Sequence, residues 1–325
     1  MLRRSAVSLI AALAVLAVPA AASAKTNVSV GIGDQSPSMF SAPLWQALHL
    51  KKTRYFIEWN AADQGAELQK AVTFVTAAKA HGVKVLMHIS TDNINATPRS
   101  PLPSVAAYKT KVKALIAIFK PLGVTDWGAW NEANHKSQPT QTNPKRAAQF
   151  FLAMRSLCTG CTIVALDVLD QSGVEKYINK WFKALGSKRT TAKVIGIHNY
   201  SEVNRKLKEK RSKSSIKKYP GTKRIIDAAR SHNRSVKFWY TETGGIVKLA
   251  SAFSCSPTRA ADRIKFMFTL AKKYRKYVKR LYTFNWSPTP DCSTTARFDA
   301  GLIEPSGLPR PGYNVLKSQL KNFTK

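Results

Sequence analysis

The sequence predicts an α/β fold, a single (β/α)8 TIM barrel. Eight short runs of β-forming residues recur along the chain, and segments with the helical spacing of apolar residues separate them. The part of the chain that carries them, residues 25–325, has the length of one such barrel. Hydrophobic residues make up 44% of the 325 residues, which supports a folded core and excludes a disordered chain.

The predicted strands alternate with predicted helices from one end of this region to the other. After the second strand, Leu68, Val72 and Val75 repeat at the spacing of one helix face. Glycine stands just before the third, fourth and fifth strands, where helix ends favour a residue that tolerates positive φ. The strands are predicted over residues 27–33, 53–59, 83–89, 125–131, 162–167, 194–200, 236–242 and 280–286.

A doubly wound open sheet is the competing fold for this alternation. Residues 28–34 contain one G-x-G but lack the third glycine of a dinucleotide fingerprint, and the chain has no Walker A motif. We therefore expect no cofactor. Enzymes with the barrel fold place their chemistry at the C-terminal ends of the strands, so candidate site residues are sought there.

Residues 1–24 have the pattern of a cleavable secretory signal. Arg3 and Arg4 precede an apolar run over residues 7–18, and Ala22-Ser23-Ala24 follows as a small-residue cleavage site. An N-terminal anchor is disfavoured because the run is short, and no later stretch reaches the roughly 18 apolar residues of a membrane span. We expect a secreted protein, extracellular or associated with the cell wall, with one catalytic domain over residues 25–325.

The four cysteines are expected to form two disulfides, because exported proteins fold in an oxidising compartment. Cys158 and Cys161 precede the fifth strand and belong to the N-terminal face of the barrel. Cys255 and Cys292 follow the seventh and eighth strands and belong to the opposite face. This topology predicts the pairs Cys158–Cys161 and Cys255–Cys292. A thioredoxin-like motif would need the first pair at a helix N-terminus after a strand, and here that order is reversed.

Two strand ends each deliver a glutamate. The fourth strand ends in Trp130-Asn131-Glu132 and the seventh in Tyr240-Thr241-Glu242, in a chain with only 18 acidic residues. Both side chains should overhang the same barrel mouth. Retaining glycosidases use two carboxyl groups about 5–5.5 Å apart, one as nucleophile and one as acid/base.

On these motifs the chain resembles the clan A retaining glycoside hydrolases, specifically a secreted bacterial member. His198-Asn199-Tyr200 at the sixth strand and Trp286 at the eighth add to the resemblance. One position departs from the family pattern: proline commonly follows the acid/base glutamate, and this chain has Ala133.

The resemblance implies a role for each of the matching residues. Glu132 would be the acid/base, Glu242 the nucleophile, and Asn131 the partner of the sugar 2-hydroxyl. Tyr200 would orient the nucleophile. Trp286 would form an apolar platform under the bound sugar.

Other residues near the strand ends are weaker candidates. Trp130 is a candidate substrate contact and, with Trp127, an apolar wall beside the acid/base. His88 and His198 are candidate substrate contacts, with a structural role as the alternative for each. Arg54 stands at the start of the second strand and is expected away from the mouth. No ligand spacing such as H-x-x-x-H occurs, so we expect no metal site.

The chain carries a formal charge of +34, and its basic residues are clustered. Residues 204–224 hold ten basic side chains and should begin at the catalytic rim, whereas residues 272–280 hold six and should lie on the far face. A positive rim would attract an anionic substrate. Retention at an anionic cell surface is the alternative. Export, without any recognised nucleic-acid module, argues against a specific nucleic acid partner.

The sequence therefore predicts a secreted glycoside hydrolase that cleaves a β-linked polysaccharide or oligosaccharide with retention. The substrate is the expected partner, and we expect the protein to act as a monomer. The alternative function is a non-catalytic barrel that binds anionic cell-wall polysaccharide, for which Ala133 and the basic charge are the best support.

Overall fold

The computed structural model describes residues 25–205, 221–287 and 297–325. The predicted signal, most of the first basic cluster and Cys292 lie outside the described residues. Among the described helices, none combines the length and apolar character needed to cross a membrane.

Eight parallel strands close into a barrel in chain order, which confirms the predicted fold. A small antiparallel sheet of β8 (Lys248–Leu249) and β10 (Phe298–Asp299) follows the last two barrel strands. The eighth predicted strand is therefore β9. The barrel strands are β1 (Ser29–Gly33), β2 (Lys52–Glu58), β3 (Lys84–Ser90), β4 (Asp126–Gly128), β5 (Thr162–Leu169), β6 (Val194–His198), β7 (Lys237–Thr243) and β9 (Val278–Phe284).

The helices that follow these strands form the outer layer. Side chains cap three of them: Ser104, Asn143 and Ser256 each accept a hydrogen bond from a backbone N–H of the first turn. The described helices are α1 (Pro43–Gln46), α2 (Gly65–Ala80), α3 (Val105–Phe119), α4 (Pro144–Leu157), α5 (Val174–Leu185), α6 (Tyr200–Arg205), α7 (Thr222–His232), α8 (Pro257–Lys273) and α9 (Pro311–Gln319).

Apolar side chains fill the half of the barrel interior that lies toward the N-terminal ends of the strands. They form a cluster separate from the main core. The guanidinium carbon of Arg280 lies 3.7 Å from the ring centre of Trp239, a member of this cluster. The chemistry must therefore lie above this layer, at the C-terminal ends of the strands. The cluster consists of Leu86, Val164, Val194, Trp239 and Tyr282.

The N-terminal face holds the first predicted disulfide and the second basic cluster. Cys158 and Cys161 are bonded in the connection from α4 to β5, which confirms that pair. The predicted partner of Cys255 lies outside the described residues, so the second pair stays a prediction. Residues 272–280 run from the end of α8 into the start of β9, and Arg280 there forms an ion pair with Asp126.

Candidate active site

The structure brings the two predicted glutamates together at the mouth of the barrel. Glu242 is part of β7, and Glu132 lies four residues beyond the end of β4. One carboxylate oxygen of Glu132 lies within 4.8 Å of one carboxylate oxygen of Glu242. The side chain of Glu132 is 13% exposed and that of Glu242 is 12% exposed. The bound of 4.8 Å is compatible with the spacing of about 5–5.5 Å found in retaining glycosidases and is shorter than the roughly 6.5–9.5 Å of inverting ones.

The backbone around Glu132 is held in a left-handed conformation, with φ at 44°. Such a conformation costs free energy in a residue other than glycine and persists only where its surroundings hold it. One such restraint is the Ala133 N–H, which donates to the Asp167 carbonyl at 2.8 Å. Proline has no N–H and could not form this bond. The departure at Ala133 therefore has a structural reason and does not argue against catalysis.

Arg54 lies at the centre of the site, which corrects the expectation that it sits away from the mouth. It is 1% exposed and donates to Glu242 Oε2 at 2.7 Å, Asn131 Oδ1 at 2.5 Å and His88 Nδ1 at 3.1 Å. Although Arg54 is only the third residue of β2, its side chain points into the barrel and is long enough to reach the strand ends. An arginine within a largely buried strand was the signal available from sequence.

Glu242 is held by one donor on each carboxylate oxygen. Arg54 donates to Oε2, and the Tyr200 hydroxyl donates to Oε1 at 3.0 Å. Burial, followed by the neighbouring charge of Glu242, raises the pKa of Tyr200 well above its usual range, so the hydroxyl keeps its proton. The two donors fix the orientation of the carboxylate and compensate its charge.

His198 bridges Glu132 to a buried carboxylate. Its Nδ1 lies 2.9 Å from Glu132 Oε1, and its Nε2 lies 2.9 Å from Asp167 Oδ2. Burial by itself would lower the pKa of His198, but the charges of Asp167 and Glu242 and hydrogen bonds to Asp167 and Glu132 outweigh it and raise the pKa to about 10. His198 is therefore an imidazolium that supports Glu132 from behind, and it is not among the residues that line the cleft.

Asp167 is the site residue that sequence reasoning missed. It is fully buried on β5, and its Oδ2 lies 3.6 Å from His88 Nε2 and 3.8 Å from Arg54 Nη2. Burial would raise the pKa of Asp167, but His198, His88 and Arg54 together lower it well below its usual range. Burial lowers the pKa of His88 to about 3, so His88 is neutral and accepts from Arg54. His88 thus holds the arginine and does not contact substrate directly.

Two glycines make room for this buried polar cluster. A Cβ atom at Gly128 would lie 1.8 Å from the His88 ring, and a Cβ atom at Gly196 would lie 1.8 Å from Asp167 Oδ1. Any other residue at either position would push the cluster out of place. The glycines are therefore part of the site although they carry no chemistry.

We expect the free energy of unfolding to decrease as the pH rises from about 6.5 to about 10, because of His198. Its pKa is raised in the folded state, so its stabilising contribution is complete below the unfolded value of about 6.5 and is lost as the pH rises through about 10. Urea unfolding from pH 6 to pH 10 should show a weaker pH dependence for His198→Gln than for the intact protein. His232→Gln is the matched control, because the described hydrogen bond of the His232 ring, to the Asn179 side chain, is exposed to solvent. Equal slopes for His198→Gln and the intact protein would contradict the assignment.

The predicted tryptophan wall is wrong. Trp130 is 2% exposed, stacks on Phe150 with ring centroids 4.9 Å apart, and donates to Gln138. Trp127 is also buried and donates to the Val124 carbonyl. The Trp130 ring packs on Tyr108 of α3 and Phe150 of α4, so it faces the helices and does not line the cleft.

Trp286 does not form the expected sugar platform. It is 5% exposed, and its ring packs edge-on against Trp45 and Tyr313 at 5.8 and 6.1 Å. The Asp34 carboxylate accepts a hydrogen bond from the backbone N–H of Trp286 at 2.9 Å and so anchors the chain where this ring enters the core. Phe284, the last residue of β9, lines the cleft instead.

The two glutamates lie in a cleft of about 740 Å³. Four phenylalanines supply apolar surface, and one of them, Phe298, packs edge-on against Tyr200 at 5.8 Å. The residues that line the cleft include Phe56, Arg99, Asn131, Glu132, Lys136, Tyr200, Arg205, Glu242, Phe284, Arg297 and Phe298.

Glu132, His198 and Glu242 also place ligand atoms within 4.8 Å of one another, close enough to surround a metal ion. Their chemistry does not suit a cation. Both ring nitrogens of His198 face carboxylates, and despite burial the neighbouring negative charge raises the pKa of His198 to about 10; the Arg54 guanidinium already pairs with Glu242 at 2.7 Å. A metal ion would have to displace a proton and a buried arginine.

Several solved structures that resemble this chain are glycoside hydrolases. A family 39 glycoside hydrolase from Bacteroides cellulosilyticus WH2 aligns with a TM-score of 0.60 and 15% identity over 92% of this chain and 65% of its own. Xylanase B from Clostridium stercorarium F9 aligns at 0.58 and 13% over 89% and 96%. A monomeric β-xylosidase from Caulobacter crescentus CB15 aligns at 0.61 and 11% over 91% and 69%.

These likenesses agree with the barrel that the alternation of strands and helices predicts. The sequence matches no protein-family model and no curated protein. The chain spans just under two thirds of the length of the family 39 enzyme. Activity and substrate must therefore be argued from the site itself.

Proposed function

We propose that the protein is a glycoside hydrolase that cleaves a β-linked polysaccharide or oligosaccharide by retaining double displacement. The observation that carries this is the pair of carboxylates, Glu132 and Glu242, within 4.8 Å of each other in a cleft at the barrel mouth. Their close approach favours retention over inversion, which needs about 6.5–9.5 Å to admit a water molecule.

In the first half of the reaction Glu242 attacks the anomeric carbon. The bond from that carbon to the leaving oxygen breaks as a glycosyl ester forms, and Glu132 donates its proton to the leaving oxygen. Arg54 and Tyr200 each donate to one Glu242 carboxylate oxygen and orient it for attack. Asn131, fixed by Arg54 at 2.5 Å, is placed to bind the sugar 2-hydroxyl.

In the second half Glu132 removes a proton from a water molecule, which attacks the anomeric carbon and releases Glu242. His198 Nδ1, 2.9 Å from Glu132 Oε1, holds the side chain that takes this proton in place. Asp167 in turn keeps His198 protonated. The same pair of glutamates thus serves both halves of the reaction.

The protein is proposed to act outside the cell as a monomer. Residues 1–24 have the pattern of a secretory signal, and the Cys158–Cys161 disulfide suits an oxidising compartment. N-terminal sequencing of protein recovered from culture medium should begin at Lys25. Recovery of the intact N-terminus from the membrane fraction would contradict export with cleavage.

A panel of aryl β-glycosides and β-glycans tests the proposed activity. Proton NMR during hydrolysis should show the β-anomer of the product first, followed by mutarotation, since two displacements restore the starting configuration. First appearance of the α-anomer would overturn the retaining mechanism. No turnover on the whole panel would favour the alternative, a barrel that only binds wall polysaccharide.

A further inference from the structure

The charged residues that line the cleft are of two kinds. The only acidic ones among the described residues are Glu132 and Glu242, which the proposed reaction uses. The others are the exposed cations Arg99, Lys136 and Arg297, with Arg205 at the same rim. Arginine and lysine only donate hydrogen bonds, so this rim suits a ligand with surplus acceptor oxygens.

Two of the cations stand on the Glu132 side of the cleft. Lys136 is in the loop after β4, four residues beyond Glu132. Arg99 comes from the loop after β3 and donates to the Gln141 side chain at 2.6 Å and to the Gln138 carbonyl. These bonds hold Arg99 against the same loop that carries Lys136, so the pair forms one cationic wall.

The other two stand on the side of Tyr200 and Glu242. Arg205 ends α6, the helix that begins at Tyr200. Arg297 immediately precedes Phe298, whose ring packs against that of Tyr200 at 5.8 Å. The carboxylate pair therefore lies between two cationic walls.

The overall composition does not by itself account for this arrangement. The chain has 52 lysines and arginines, so several cations in any cleft are expected. Among the described residues, Arg99 and Lys136 stand on one wall and Arg297 on the other, and the described lining holds no acid outside the reacting pair. Deeper in the barrel the pattern differs, because Arg54 and His198 are matched by Asp167 and Glu242 within 4 Å. Positive potential is therefore concentrated where the glycan enters and leaves.

We infer that the cleft binds an anionic glycan, one with carboxylate or sulfate groups on sugars on both sides of the cleaved bond. This rests on the proposed function and names its substrate class. Phe56, Phe284 and Phe298 would pack against sugar rings, and the two walls would bind the anionic groups. Charge-assisted bonds from arginine and lysine to such groups are stronger than bonds to hydroxyls.

The test compares two double variants of equal charge change. Arg99→Gln/Lys136→Gln removes one cationic wall. Lys84→Gln/Lys237→Gln removes two exposed lysines at the N-terminal ends of β3 and β7, on the opposite face. Hyaluronan supplies carboxylates, chondroitin sulfate supplies carboxylates and sulfates, and xylan and β-glucan are neutral. We measure kcat/KM on each, and the dissociation constant on each by calorimetry, at 50 and 500 mM salt.

The intact protein should prefer at least one anionic glycan over both neutral ones, and 500 mM salt should reduce that preference. The wall variant should lower the preference by about tenfold, the effect of losing two charge-assisted contacts, whereas the control variant should leave it unchanged. Hyaluronan separates recognition of carboxylate from that of sulfate. Equal losses in the two variants, or no preference for an anionic glycan, would overturn the inference.

The calorimetric measurement keeps this test separate from that of the proposed function. If no glycan is hydrolysed, the reaction proposal fails while the binding comparison still stands. Selective weakening of anionic glycan binding in the wall variant would support the substrate class even then. Hydrolysis of neutral glycans alone, with no effect specific to the wall variant, would support the reaction and reject the substrate class.

Discussion

Glu242→Ala should lower kcat/KM on aryl β-glycosides by at least about 10⁴-fold, the scale seen when a covalent nucleophile is removed. The variant loses the group that forms the glycosyl ester, while Arg54 and Tyr200 lose the carboxylate that they hold. Steady-state kinetics with a good phenolate leaving group measures the loss. Glu67→Ala, which alters a partly exposed glutamate that pairs with Lys70 outside the cleft, is the matched control and should keep full activity.

Azide distinguishes the nucleophile from the acid/base. In Glu242→Ala the cavity should admit azide, which attacks the anomeric carbon once and gives the α-glycosyl azide. In Glu132→Ala the glycosyl ester still forms, so azide displaces it and gives the β-glycosyl azide. Residual activity of Glu242→Ala within tenfold of the intact protein, or the reverse pair of anomers, would contradict the assigned roles.

Arg54→Met should destabilise the fold by about 3–5 kcal/mol and also abolish most of the activity. The guanidinium is 1% exposed and is the cation shared by Glu242 and Asp167, so its removal leaves buried negative charge uncompensated. Urea unfolding measures the first effect and aryl glycoside hydrolysis the second. Arg54→Lys keeps the charge but cannot reach three acceptors, and should recover stability more than activity.

Arg280→Met is the matched control for Arg54→Met. Arg280 also pairs with a carboxylate, Asp126, but at the N-terminal end of the barrel below the apolar layer. This variant should lose stability and keep kcat/KM. If Arg54→Met retains kcat/KM while Arg280→Met loses it, the placement of Arg54 in the active site is wrong.

Features encoded in short stretches of sequence were predictable. The alternation of strands and helices is a periodicity of neighbouring residues, and it led to the barrel that the structure confirms. The position of Glu132 and Glu242 at strand ends followed from that alternation, because parallel strands in a barrel end at one face. The Cys158–Cys161 pair followed in the same way.

Features that depend on side-chain direction and reach were not predictable. Trp130 and Trp286 were expected at the substrate, but both rings pack into the core, Trp130 against Phe150 and Trp286 against Trp45 and Tyr313. Arg54 was expected far from the mouth because its Cα is, although its guanidinium is not. No local pattern distinguishes a side chain that crosses the barrel from one that stays at its own level.

The sequence by itself determined the barrel and the two strand ends that carry Glu132 and Glu242, since both depend on local periodicity and strand direction. Only the tertiary structure decided which groups surround them. Asp167, His198, His88 and Arg54 come from four different strands and meet because closure of the barrel points them at one axis. Their charges are set by mutual burial and distance, which exist only after the chain has folded.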